Sequence, residues 1–142
     1  MNKGYLRQMR RQDRRIERDE CLSILKKGEY GILSLCTQQN GGYGIPLNFV
    51  FMNGSIFFHC ASEGRKIEEM KRNNKVSFCV VGKTEIIPEK FTTEYESVIV
   101  FGKTFEIAGE EKRKALECIV KKYSADFWQE GRTMIDNLFD KT

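Results

Sequence analysis

The sequence predicts a mainly β, α+β domain in which an antiparallel sheet closes into a barrel with helices flanking it. Three observations predict it. Short β-rich runs fill the middle of the chain, separated by Gly and Asn. An Asn53-Gly54 pair sits between two of them as a hairpin signal. Helical spacing of apolar residues is confined to the two ends and one short inner segment. With 142 residues, 40% hydrophobic and 31% charged, and only two prolines, the chain has the size and composition of a single folded domain, 1–142.

The first element is a helix over about residues 10–28, with Ile16, Leu22 and Leu25 on its apolar side. Strands follow at Tyr30 to Thr37, Ile45 to Met52, Ser55 to Cys60, Val76 to Val81 and Ser97 to Ile107. Between the third and fourth, the Ile67 and Met70 spacing within Ser62 to Asn73 suits a short helix. Two helices over about 110–139 complete the chain. Glu110 and Glu111 open the first, and Leu116, Ile119 and Tyr123 form its stripe. Ser124 is placed to cap the second, whose buried face is Trp128, Ile135, Leu138 and Phe139, with Gly131 as an internal weak point.

Composition excludes several classes. No apolar stretch approaches the ~20 residues of a membrane helix, and the start lacks an apolar leader run, so a soluble, cytoplasmic protein is expected. Five cysteines at irregular spacing and a single histidine, His59, spell neither a disulfide framework nor a metal motif. The net charge of +4 is uneven: Arg7, Arg10, Arg11, Arg14, Arg15 and Arg18 cluster near the start, interleaved with Asp13, Glu17, Asp19 and Glu20. That segment reads either as a solvated helix face or as a surface for nucleic acid or an acidic partner.

The Asn53-Gly54 turn sets a register in which Phe51 meets Ile56, Phe49 meets Phe58 and Leu47 meets Cys60 on a core-facing side. On the other side Asn48 stands opposite His59 and Val50 opposite Phe57, with Pro46 near Ala61. Pro46 cannot donate a ladder hydrogen bond, which marks an edge or bulge. The Asn48–His59 pair is either a ligand platform or a solvated cross-strand pair. Beyond it, Ser62 is a natural N-cap, which puts Arg65 and Lys66 in the first helical turn, where the dipole disfavours cations. A bound phosphate would relieve that: helix N–H groups and the Ser62 hydroxyl would bond it, Gly64 would permit close approach, and both cations would face it. Compensation by Glu63 and screening by solvent is the competing reading.

These residues carry a resemblance. FFHCASEGRKIEEMKRNNKVSFCV, from Phe57 to Val80, resembles the core signature of the FMN-binding split-barrel superfamily typified by pyridoxamine 5′-phosphate oxidases. MRRQDRRI at Met9 to Ile16, YGILSL at Tyr30 to Leu35, YGIPLNFVFMNGSIFFHCA at Tyr43 to Ala61 and YESVIVFGK at Tyr95 to Lys103 resemble its nitroimidazole-resistance (Nim) branch. The resemblance implies an FMN-binding split β-barrel homodimer, with two FMN molecules at the subunit interface and both chains contributing to each. It places the phosphate on Arg65 and Lys66, with strand-end flavin contacts on His59 and Cys60. Backbone along the isoalloxazine falls near Pro46, Leu47 and Asn48. A flavin-contacting Gln of the oxidases falls, more loosely, on Ser97, which is shorter.

The implied activity is that of an FMN-dependent oxidoreductase taking electrons from NAD(P)H or another reductant. In the Nim version a nitroimidazole is the small-molecule acceptor, stacked on the exposed flavin face. His59 either donates a proton or packs beside the cofactor. The rivals are a flavin-binding sensor or carrier without turnover, and a nucleic-acid binder using the N-terminal arginines. The superfamily also holds members that take haem or a deazaflavin. Nim relatives continue into another apolar strand beyond the point matching Thr142, so the expectation is a barrel without that strand or a shortened chain.

Overall fold

The computed structural model describes residues 7–142; the first six residues of the expected 1–142 domain lie outside the description. The N-terminal helix is shorter than its apolar spacing suggests. Residues Gln12–Arg14 form one 3-10 turn, and the α-helix proper, α1, runs over Arg18–Lys27. Its start is fixed by a capping box. The Glu17 side chain accepts from the backbone N–H of Glu20, while the Glu20 carboxylate accepts from the Glu17 N–H at 3.0 Å.

Six strands follow among the described residues: β1 (Gly31–Thr37), β2 (Gly41–Leu47), β3 (Val50–Met52), β4 (Ser55–Phe57), β5 (Lys75–Ile87) and β6 (Thr92–Lys103). Helix α2 (Arg65–Arg72) lies between β4 and β5, and α3 (Gly109–Tyr123) and α4 (Trp128–Leu138) close the chain. The strands form two antiparallel sheets instead of one continuous ring: a four-stranded sheet ordered β2-β1-β5-β6 and the β3-β4 hairpin. This is the split form of the barrel. Leu33, Phe49 and Val80 are fully buried at its centre, with Ile24, Leu25, Leu35 and Phe78 around them. The Phe49 and Phe78 rings meet edge to face at 5.1 Å.

Three departures from the sequence reading have physical causes. The expected strand from Ile45 to Met52 is interrupted at Asn48-Phe49, because side chains of α3 take the backbone groups of Phe49. Its N–H donates to the Tyr123 hydroxyl at 3.0 Å, and its carbonyl accepts from Lys122 Nζ at 2.9 Å. The hairpin register holds from Met52↔Ser55 to Val50↔Phe57 and stops there, so the Asn48–His59 and Leu47–Cys60 pairs are not part of the ladder. Val50, expected on the polar side, is buried, and α3 packs against β3.

The β5–β6 hairpin is longer than expected. Its inner half joins β1 only through Ile32↔Cys79 to Ser34↔Ser77, and its outer half continues to Ile87↔Thr92. A bulge between Val81 and Thr84, where the Lys83 N–H donates to Glu96 at 3.2 Å, separates the two halves.

Ser124 caps no helix with its side chain. Its N–H closes α3 on Val120 O at 2.8 Å, and a 3-10 turn at Ala125–Phe127 intervenes before α4. Among the described residues, no helix is long and apolar enough to cross a membrane.

Candidate functional site

The chain leaves β4 at Phe57 and passes through an irregular stretch to α2. Gly64, with φ +116°, makes the turn into the helix. Gly64, and not Ser62, is therefore the N-cap: the positive φ turns the chain two residues later than the serine would. Gly64 offers no side-chain acceptor, so the opening N–H groups of α2 are uncapped; the first helical bond runs from the Glu68 N–H to Gly64 O at 3.1 Å. Arg65 and Lys66 occupy the first two helical positions as expected. An uncapped helix start bearing two cations is an anion-binding donor set.

Arg65 is not loose. Its Nη2 donates to Asn40 Oδ1 at 2.7 Å, and its guanidinium lies 4.9 Å from the centre of the Tyr43 ring. At the other end of α2, Arg72 pairs with Glu69 at 3.0 Å and donates to Cys36 O. Both arginines thus fasten the helix to the β1–β2 end of the large sheet. Sequence reasoning missed Asn40 and Tyr43; the only signal was the glycine-rich turn beside them, which reads as a mere separator.

Beside the helix start lies a cleft of about 1070 Å³. His59, Cys60 and Ser62 line one side of it, the end of β6 and the segment to Ile107 another, and α3 a third, with Phe51, Met70 and Phe78 at its apolar floor. His59 and Ser62 are exposed, and Cys60 is half-buried. Burial pushes the Cys60 thiol up, the Lys66 charge draws it partly back, and Glu106 adds to the rise, so the thiol is held protonated rather than activated.

The remaining expected residues lie elsewhere. Pro46, on β2, pairs with Ile32, and Ser97, on β6, pairs with Val81. By strand alternation both lie on the outer face of the four-stranded sheet, together with Cys79, Ile99 and Phe101. Leu47 packs on the core side, and Asn48 is exposed in the break before β3. The structure therefore gathers His59, Cys60 and Ser62 at the cleft with Lys66 beside them. It leaves Pro46, Leu47, Asn48 and Ser97 outside that cleft.

The pyridoxamine 5′-phosphate oxidase family model matches residues 17–138. No curated protein matches the chain. Among solved structures, the chain is similar to a candidate 5-nitroimidazole antibiotic resistance protein from Bacteroides thetaiotaomicron. Identity is 27%, the TM-score is 0.66, and 76% of this chain and 67% of that one are covered. It shares its fold with a conserved hypothetical protein from Mycobacterium tuberculosis, with TM-score 0.79 and 15% identity over 94% of this chain and 81% of that one. A FAD-binding protein from Mesorhizobium loti has the same fold, with TM-score 0.58 and 23% identity over 80% of each chain. With the family model spanning nearly the whole fold and the Bacteroides protein supporting the nitroimidazole-resistance branch, the chain belongs to the pyridoxamine 5′-phosphate oxidase family of split barrels.

Proposed function

We propose that the protein is a flavin-dependent oxidoreductase that binds FMN, with the cofactor phosphate at the start of α2. The observation that carries this reading is the uncapped first turn with Arg65 and Lys66, set against a cleft with an apolar floor. The donor set fits the group: backbone N–H groups and two cations match a phosphate dianion, and the cleft beside them has room and apolar surface for a ring system. The Mesorhizobium relative, described as FAD-binding, supports a flavin.

Bound flavin would supply the hydride and electron transfer. The protein's part is to hold and orient. Lys66 and the helix N–H groups would fix the phosphate, and Arg65 would join them from its seat on Tyr43 and Asn40. Cys60, kept as a thiol, and His59 would border the cofactor, with His59 exposed and able to exchange a proton with an acceptor.

A homodimer belongs to the same reading. Pro46 and Ser97 lie on the outer sheet face, away from the cleft, so they would serve the flavin of a second copy, while Leu47 and Asn48 lie along the strand that enters the break. The Bacteroides relative supports a nitroimidazole as acceptor, with NAD(P)H or another reductant as donor. Five free cysteines suit a cytoplasmic, reducing setting.

The test is to add FMN to the purified protein, record the visible spectrum, then supply NAD(P)H with a nitroimidazole. Flavin bands that stay with the protein through gel filtration, and consumption of the nitro compound, are expected. Bands without turnover would leave a flavin carrier or sensor. Colourless protein would overturn the reading.

A further inference from the structure

The outer half of the β5–β6 hairpin stands apart from the rest of the fold. From Thr84↔Tyr95 to Ile87↔Thr92 its two strands pair only with each other. One face carries Ile86 and Tyr95, 74% and 65% exposed, and at the tip Phe91 is 97% exposed in a left-handed conformation, φ +51°. A bulky residue held at positive φ with its ring in water is costly for an isolated chain.

On the opposite face Glu85 and Glu94 are direct cross-strand partners, an arrangement that repels. Neither has an ion pair among the described residues. A surface of this kind, an apolar face backed by two opposed carboxylates, is complementary to a partner with exposed apolar side chains and clustered cations. The chain carries such a segment itself. Residues 9–18 expose Met9, Arg10, Arg15 and Arg18, and the ion pair recorded there is the local one from Arg11 to Asp13 at 2.6 Å.

We propose that the outer β5–β6 hairpin is an arm that grips a second copy of this chain, with Glu85 and Glu94 receiving arginines from residues 10–18 of that copy. Two-fold symmetry makes the contact twice, arm to segment and segment to arm. The arm continues the outer sheet face that holds Ser97, Ile99 and Phe101, so grip and sheet contact form one surface. The proposal rests on the homodimer reading above and adds the residues that hold it.

Two charge-reversed chains test it: Glu85→Lys/Glu94→Lys on the arm, and Arg15→Glu/Arg18→Glu on the segment. The second pair is compatible with folding, because acids are favoured at the start of α1. Sedimentation should show each variant alone with a dimer dissociation constant raised about tenfold or more. An equal mixture should restore a one-to-one heterodimer in native mass spectrometry, since both contacts are then opposite in charge. Variants that dimerise like the parent, or a mixture that stays unpaired, would overturn the arm contact while leaving the homodimer reading intact. The same holds if the segment reversal abolishes oligonucleotide binding and leaves dimerisation unchanged. A flavin-bound parent that is monomeric would sink the homodimer reading itself.

Discussion

At Phe49 and at Gly64 the chain leaves regular structure, and the backbone groups set free there meet different fates. Around Phe49 they are consumed. The Tyr123 hydroxyl accepts from the Phe49 N–H and lies 2.7 Å from Glu29 O, and Lys122 bonds the Phe49 carbonyl while its ammonium sits 4.0 Å above the ring. Burial lowers the Lys122 pKa, the cost of holding a cation there. Around Gly64 the corresponding groups stay open, uncapped and flanked by cations. One break closes the core and the other is kept for an anion. A stretch that satisfies its own polar groups contributes stability, while a stretch that leaves donors open beside a cleft is available for binding.

The comparison is most easily broken at the closed site. Phe49→Ala removes a fully buried ring from the centre of the core and should cost about 3–5 kcal/mol in equilibrium denaturation. A loss below about 1 kcal/mol would show that the break at Phe49 is not where the two sheets are joined. Tyr123→Phe keeps the ring but leaves the Phe49 N–H without its partner, and should cost about 1–3 kcal/mol by the same measurement. Phe49 O keeps Lys122, so the loss should stay below that of the ring deletion.

How much of this was legible follows from the same two places. The type I′ turn at Asn53-Gly54 was readable because both residues need positive φ, and they have it, at 52° and 75°. The cationic first turn of α2 was readable from the order Gly64-Arg65-Lys66, and the C-terminal helices from their apolar stripes. The break at Asn48-Phe49 was not. Its cause is a hydroxyl and an ammonium more than seventy residues away, and Tyr123 reads in sequence as one more member of an apolar stripe. The outer half of the β5–β6 hairpin was missed because its exposed Glu and Thr blur the alternation that marks a strand. Ser62 misled for a local reason: a serine ahead of a helix is usually its cap, but a glycine at φ +116° can turn the chain without one.

That last point gives the smallest expected effect. Ser62→Ala should change stability by no more than about 0.5 kcal/mol, against about 1 kcal/mol for loss of a working cap. A larger loss in thermal or denaturant unfolding would return Ser62 to the role the sequence suggests.

The open site is tested most directly by an FMN titration of the Arg65→Ala/Lys66→Ala double variant beside the parent, read by quenching of flavin fluorescence. The two side chains are largely solvent-facing, so unfolding stability should fall by less than about 1 kcal/mol. The FMN dissociation constant should rise by at least about a hundredfold, as expected when two charge-assisted phosphate contacts are lost together. An affinity equal to that of the parent, in a variant that folds normally, would contradict the claim that the start of α2 holds the phosphate.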